Sequence, residues 1–214
     1  PRHKRVLPGL SLSLGTSLLF ISLILLLPMS GLVMQSVDMG WDRYWQVISD
    51  ERVVASYKVT LWAALIASIF NGFFGLLLAW VLVRYEFPGR RILDALVDLP
   101  FALPTAVAGI TLATLYAQNG WYGEILESLG LKVAYTPWGI VLAMAFTSIP
   151  FVVRTVQPVL EELSPEEEEA GMTLGASDWS VFRRVIFPAL WPALMTGIAL
   201  SFTRSLGEFG AGIF

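Results

Sequence analysis

Five stretches of this chain contain no Asp, Glu, Lys or Arg: residues 6–37 (32 residues), 59–83 (25), 99–123 (25), 133–153 (21) and 185–203 (19). An α-helix needs about 20 apolar residues to cross a ~30 Å hydrocarbon core, so every stretch can supply one transmembrane helix. Five such gaps do not arise in a soluble fold of 214 residues. The spacing therefore predicts five spans, near 12–36, 58–84, 99–118, 137–159 and 188–208, in an all-α, polytopic transmembrane bundle. Composition agrees, with 14% charged residues against about 25% in soluble domains.

The basic residues Arg2, Lys4 and Arg5 precede the first stretch, as in a signal peptide. The apolar run from Leu10 to Val37 is much longer than the roughly 7–15 residues of a signal core, so an uncleaved first span fits better. With the N-terminus in the cytoplasm, nine basic residues face inward (Arg2, Lys4, Arg5, Arg84, Arg90, Arg91, Arg154, Arg183, Arg184) and four outward (Arg43, Arg52, Lys58, Lys132). That imbalance obeys the positive-inside rule. The chain begins at Pro1 and stops at Phe214 just past the fifth span. An odd number of spans leaves the two ends on opposite sides, so a sixth helix is expected beyond residue 214.

Several chemistries are closed to these residues. Cysteine is absent and the single histidine is His3, which removes thiol catalysis, zinc fingers and most metal ligation. No cofactor is expected. A net charge of −3 offers no electrostatic footprint for nucleic acid. There is no G-x-x-x-x-G-K-[ST] loop and no Gly-Lys pair to cradle a nucleotide phosphate. Asp94 and Asp98 sit at a helix end rather than mid-span, which argues against intramembrane proteolysis.

The connection over about 161–188 is too organised to be a linker. Ser164, Pro165 and Glu167 form a helix-start pattern with a capping box, and the carboxylates of residues 166–169 suit a first turn. Gly175 fits a helix stop, and Ser177 with Asp178 opens a second helix expected to run until Pro188. The apolar residues Ala170, Met172, Leu174, Ala176, Trp179, Val181 and Phe182 are expected to lie exposed there, which points to a docking surface rather than a solvated connector.

Here the residues resemble a known family. Glu169-Ala170-Gly171, then Gly175, then Val185-Ile186-Phe187-Pro188 resemble the EAA loop of ABC importer permeases (E-A-A, three residues, G, nine residues, I-x-L-P). Gly171, Val185 and Phe187 depart modestly from that pattern. Phe87-Pro88-Gly89-Arg90-Arg91, the run from Asp94 to Gly109, Asn119-Gly120-Trp121, and Arg204-Ser205-Leu206-Gly207-Glu208-Phe209-Gly210 are similar to the T-type subunits of sulfate/thiosulfate permeases. Molybdate permeases share some of these elements and stand as the alternative, extended to tungstate.

The resemblance implies a type I importer permease fold with six helices in all. Residues 1–214 then form one transmembrane permease domain, multi-pass in the bacterial inner membrane. It implies a second, W-type permease subunit, two ATP-binding subunits and a periplasmic sulfate/thiosulfate-binding protein as partners. Glu169, Ala170, Gly171, Leu174, Gly175, Val185 and Pro188 would form the ATPase coupling loop. A candidate gate or anion path comprises Arg204, Glu208, Pro100, Pro104 and Thr105. Arg204 and Glu208 lie four apart on one helix face, and a structural ion pair is favoured over anion binding because charges within a span are costly. Pro100 and Pro104 free backbone carbonyls, and an ordinary kink is favoured over a path there. Gly72, Gly75 and Ala79 are expected to permit close helix packing. A non-transporting membrane scaffold is the reading from another class, and the EAA spacing weighs against it because a scaffold needs no ATPase docking helix.

Overall fold

The computed structural model describes residues 10–208. The basic residues Arg2, Lys4 and Arg5, with His3, and Phe209 and Gly210 of the last motif lie outside them. All regular structure among the described residues is helical, and the chain divides into two compact units, up to Ser56 and from Tyr57 onward.

In the first unit, α1 (Leu10–Ile21), a π-helical turn (Ser22–Leu26) and α2 (Leu27–Asp38) make one rod. Its apolar section Leu12–Val37 is long enough to span a membrane. Every side chain described along it is exposed, as befits a helix whose solvent is lipid. Pro28 has no N–H for the preceding turn, and the wider π turn absorbs that loss. Gly40, at φ +78°, then reverses the chain into α3 (Trp41–Ile48), where Trp41, Tyr44 and Trp45 pack on one another. The charge pattern had marked this segment only as a connection.

The second unit is built on three long helices. These are α4 (Glu51–Arg84, from Tyr57 on), α9 (Pro137–Glu162) and a rod formed by α11 (Asp178–Val181), a π turn (Phe182–Ile186) and α12 (Phe187–Leu206). Small residues let their backbones approach, which is how helices associate where lipid is as apolar as leucine. A Cβ built on Gly75 would stand 2.8 Å from Val152 Cβ and Cγ1, and one on Gly197 would stand 2.9 Å from Val152 Cα. Val152 is therefore wedged between α4 and α12. Ala63, Ala64, Ala67 and Ala79 are fully buried on the same face of α4. The packing expected of Gly72, Gly75 and Ala79 is what the bundle uses.

Three expectations need correction. The third span is not one helix: the segment breaks into α5 (Arg90–Val97), α6 (Leu99–Ala102) and α7 (Thr105–Tyr116), and α7 has only 12 residues. Pro104 has no N–H to donate, and Leu103 and Pro104 are extended at ψ 135° and 133°. Among the described residues, four helices, not five, are long and apolar enough to cross a membrane. Second, the helix opened by Ser177 does not stop at Pro188. It continues into the span because Pro188 sits at the start of α12, where the π turn has already relaxed the hydrogen-bond ladder. Third, Val181 is buried in the core and Ala176 and Phe182 pack against it, so they are not exposed loop residues.

Between α7 and α9 the chain forms a tight hairpin through α8 (Trp121–Ser128). A Cβ on Gly123 would lie 1.7 Å from Ala117 O, and one on Gly120 would lie 2.2 Å from Thr114 O. Only glycine fits at both places.

Candidate functional site

The loop expected to couple to an ATPase folds as a capped helix–turn–helix. In α10 (Pro165–Thr173), Ser164 Oγ accepts the Glu166 N–H at 3.3 Å, and Pro165 occupies the first turn. The capping carboxylate nearest Ser164 is that of Glu166, whose Oε2 is 3.4 Å from Ser164 Oγ, rather than the expected Glu167. At its other end the Ala176 N–H donates to Gly171 O (3.1 Å) and the Gly175 N–H donates to Met172 O (2.9 Å). These two bonds with Gly175 at φ +84° are a Schellman stop. Ser177 Oγ then accepts the Ser180 N–H to start α11.

Both helices meet at Gly171. A Cβ there would come 3.2 Å from Val181 Cγ2, so glycine lets α10 settle onto α11 slightly more closely than alanine would. The turn leaves Leu174 89% exposed, with Met172, Glu169, Ala170 and Gly175 also at the surface. Pro188 is exposed and Val185 half-buried. Leu174 thus stands 89% exposed on a turn held by three caps.

One ion pair ties this loop to the bundle, and a second system joins α9 to the α5–α6 segment. Arg84, the last residue of α4, pairs with Glu168 of α10, and its guanidinium lies 5.2 Å from the Trp80 ring centroid. Arg154 of α9 reaches α5 and α6. Its Nε and Nη2 donate to the two oxygens of Asp98 (2.9 and 2.7 Å), Nη1 to Asp94 Oδ1 (2.6 Å) and Gln157 Oε1 (2.6 Å), and Nη2 also to Asp94 O (3.0 Å). Neither system was readable from the sequence. Their partners stand 84 and 56–60 residues apart, and only charge placed at helix ends hinted at them.

Deeper in the bundle, Asn71 joins the three long helices. Its fully buried amide donates to Ala145 O (3.0 Å), Ser148 Oγ (2.9 Å) and Ser201 Oγ (3.1 Å), and Ser148 Oγ bonds Ser205 Oγ (3.1 Å). Asparagine, the one side-chain amide in an otherwise apolar run, was the available signal. Arg204 and Glu208 form the expected pair, Nη1 to Oε2 at 2.6 Å, with Glu208 buried and Arg204 half-buried. Pro100 is buried and Thr105 opens α7, whose first amides have no partners within the helix. These residues are not one cluster: the gate candidates divide between the α6–α7 break and the end of α12.

At the end of the bundle away from the coupling loop, the hairpin encloses a cavity of about 370 Å³ between α7 and α9, lined by Leu112, Tyr116, Pro137 and Ile140. A more polar one of about 530 Å³ beside it is lined by Gln118, Asn119, Glu127, Lys132 and Thr136. The described residues hold no cluster of His, Asp or Glu able to bind a metal ion.

A capped, apolar-tipped helix–turn–helix fused to a bundle of long apolar helices defines a class, a multi-pass membrane protein. Residues 71–214 match the family of binding-protein-dependent transport system inner membrane components, and the chain belongs to that family. It is 69% identical over 211 residues to the sulfate transport system permease protein CysT of Escherichia coli, covering 99% of this chain and 76% of that protein. The CysT protein of Synechocystis sp. is 48% identical, with 95% of this chain and 71% of the relative covered. A probable sulfate transport system permease protein of Chlorokybus atmophyticus is 53% identical, with 91% and 68% covered.

Proposed function

We propose that this chain is the sulfate/thiosulfate-translocating permease subunit of an ATP-driven importer, with its N-terminus in the cytoplasm. The observation that carries the reading is the coupling loop: a rigid helix pair, bare at Leu174, continuous with α9 on one side and α12 on the other. A displacement imposed on such a loop reaches two spans as a rigid-body motion. The names of the relatives support sulfate over molybdate or tungstate.

In this reading two ATP-binding subunits dock on the loops of this chain and of a second, W-type permease subunit. A periplasmic sulfate/thiosulfate-binding protein delivers the anion at the opposite face. ATP hydrolysis belongs to the partners, because these residues contain no phosphate-cradling loop. Coupling runs through Glu169, Ala170, Gly171, Leu174, Gly175, Val185 and Pro188. The anion path passes the break at Pro100, Pro104 and Thr105, where unpaired amides at the start of α7 present partial positive charge. Arg204 and Glu208 serve as a structural or gating pair rather than an anion site, since a cation already matched by a carboxylate attracts a dianion weakly.

Affinity purification of the full-length protein followed by native mass spectrometry tests the assembly. The expected complex holds two ATPase subunits and a second permease. Purification of a stable species lacking any ATPase would contradict the coupling assignment and favour the scaffold. Sulfate-uptake rescue in cells lacking their own sulfate permease, with molybdate as competitor, tests the substrate.

A further inference from the structure

We propose that Arg154 is a positioning residue that fastens α5–α6 to α9, so that motion of the coupling loop is carried to the break at Leu103–Pro104. The proposal rests on the transport reading above. Only Leu163 and Ser164 separate α9 from α10, so whatever moves the coupling helix moves α9. Arg154 lies two turns before the end of α9 and uses all five of its N–H groups. Four of those bonds go to Asp94 and Asp98, and the fifth goes to Gln157, whose own amide donates to Glu161 at 3.1 Å.

Exposed ion pairs contribute little, but this one is a fork rather than a point contact. The Asp98 carboxylate receives two parallel bonds, and the Asp94 backbone carbonyl is held as well, so the backbone of the short element is fixed along with its side chains. Apolar contact reinforces the attachment: Phe101 of α6 packs edge-on against Phe151 of α9 at 5.1 Å, and Val97 and Pro100 are buried. Just past this attachment the helical ladder is interrupted at Leu103 and Pro104. The joint thus separates an element fastened to α9 by Arg154 from α7, which meets α9 through its own packing, with Ala108 and Gly109 buried, and is joined to that element only by two extended residues. Rotation at such a joint would shift Thr105 and the start of α7 relative to α5–α6.

A structural ion pair alone predicts lower abundance or assembly when broken. A strut also predicts that ATP hydrolysis continues while transport stops. The test reconstitutes the complete importer, with binding protein and sulfate, in liposomes and measures sulfate taken up per ATP hydrolysed. For Arg154→Gln this ratio is expected to fall at least tenfold, with the ATPase subunits still bound. Arg154→Lys keeps the charge but not the fork, and it is expected to stay near the Gln variant. Asp98→Asn, which retains Asp94, gives a milder fall of severalfold and serves if Arg154→Gln does not assemble.

The decisive variant is D98C with R154C in a background free of other accessible cysteines. It should be uncoupled until a short thiol-to-thiol reagent links positions 98 and 154, and coupled again afterwards. A complete cross-link that leaves the ratio low, or an Arg154→Gln ratio equal to wild type, would overturn the strut alone. A wild-type complex that takes up no sulfate would overturn the transport reading and the strut with it.

Discussion

Replacing glycine by alanine at three positions of the packed spans should give a graded series, set by what each new methyl meets. At Gly72 the nearest atoms are Ile198 Cδ1 and Cγ1, at 2.7 and 2.9 Å. They are the flexible end of a half-buried side chain, so a rotamer change of about 0.5–1.5 kcal/mol makes room. Alanine also gains about 1 kcal/mol of helix propensity over glycine. The two terms nearly cancel, and Gly72→Ala should be close to neutral. At Gly75 the methyl meets Val152 Cβ and Cγ1 at 2.8 Å, on a stiff β-branched residue with no exposed surface. Overpacking of this kind costs about 1–3 kcal/mol, leaving a net loss of about 0–2 kcal/mol after the propensity gain. At Gly197 the obstacle is Val152 Cα at 2.9 Å, a backbone atom that no rotamer can withdraw. Gly197→Ala should be the worst, near the upper end of the ~1–3 kcal/mol range. Thermal unfolding of the full-length protein in detergent, followed by tryptophan fluorescence, measures the order. A cycle with Val152→Gly sharpens it: removing the Val152 side chain should relieve Gly75→Ala but not Gly197→Ala. Equal losses at positions 72 and 197, or equal relief of both by Val152→Gly, would refute this reasoning.

Other outcomes follow from the loop and the end of α12. Gly175→Pro removes the N–H bound to Met172 O and forbids a φ of +84°, so it should abolish ATPase co-purification at normal membrane abundance. Glu169→Lys inverts an exposed charge in the same loop and should weaken that association without unfolding the spans; normal ATPase binding and uptake in both variants would remove the docking assignment. Arg204→Ala withdraws the cation beside the buried Glu208 carboxylate and should lower stability by about 3 kcal/mol, with part regained in the double alanine variant. Coupling between these two residues in uptake with none in stability would show that the pair serves the anion instead.

Four of the spans were legible because charge is costly in lipid, while the gap over 99–123 proved to hold the broken α6–α7 segment. The stop at Gly175 and the starts at Ser164 and Ser177 were legible for a similar reason: caps are local, and each needs only a few residues in sequence. What escaped was long-range or depended on packing. The Arg154 fork joins residues 56–60 apart, and its acidic partners looked like an ordinary helix end. The interruption at Leu103–Pro104 was visible as two prolines, but prolines inside α9 at Pro150 and Pro158 leave that helix continuous. Pattern alone does not separate the two cases. In α9 the helix runs on through the buried Pro150 and the exposed Pro158 alike, whereas at 103–104 the chain turns extended. Likewise Val181 and Leu174 are equally apolar in sequence, yet one enters the core and the other stays bare, because the Gly171 contact points α11 inward.

ATP-dependent uptake of labelled sulfate into liposomes tests the central claim most directly, with this full-length chain reconstituted alone and together with a second permease, the ATPase subunits and a sulfate-binding protein. Uptake should appear only with the full set, stop when ATP is withheld, and stop again with Gly175→Pro. Uptake by the lone chain, or a complete complex that hydrolyses ATP yet moves no sulfate, would contradict it.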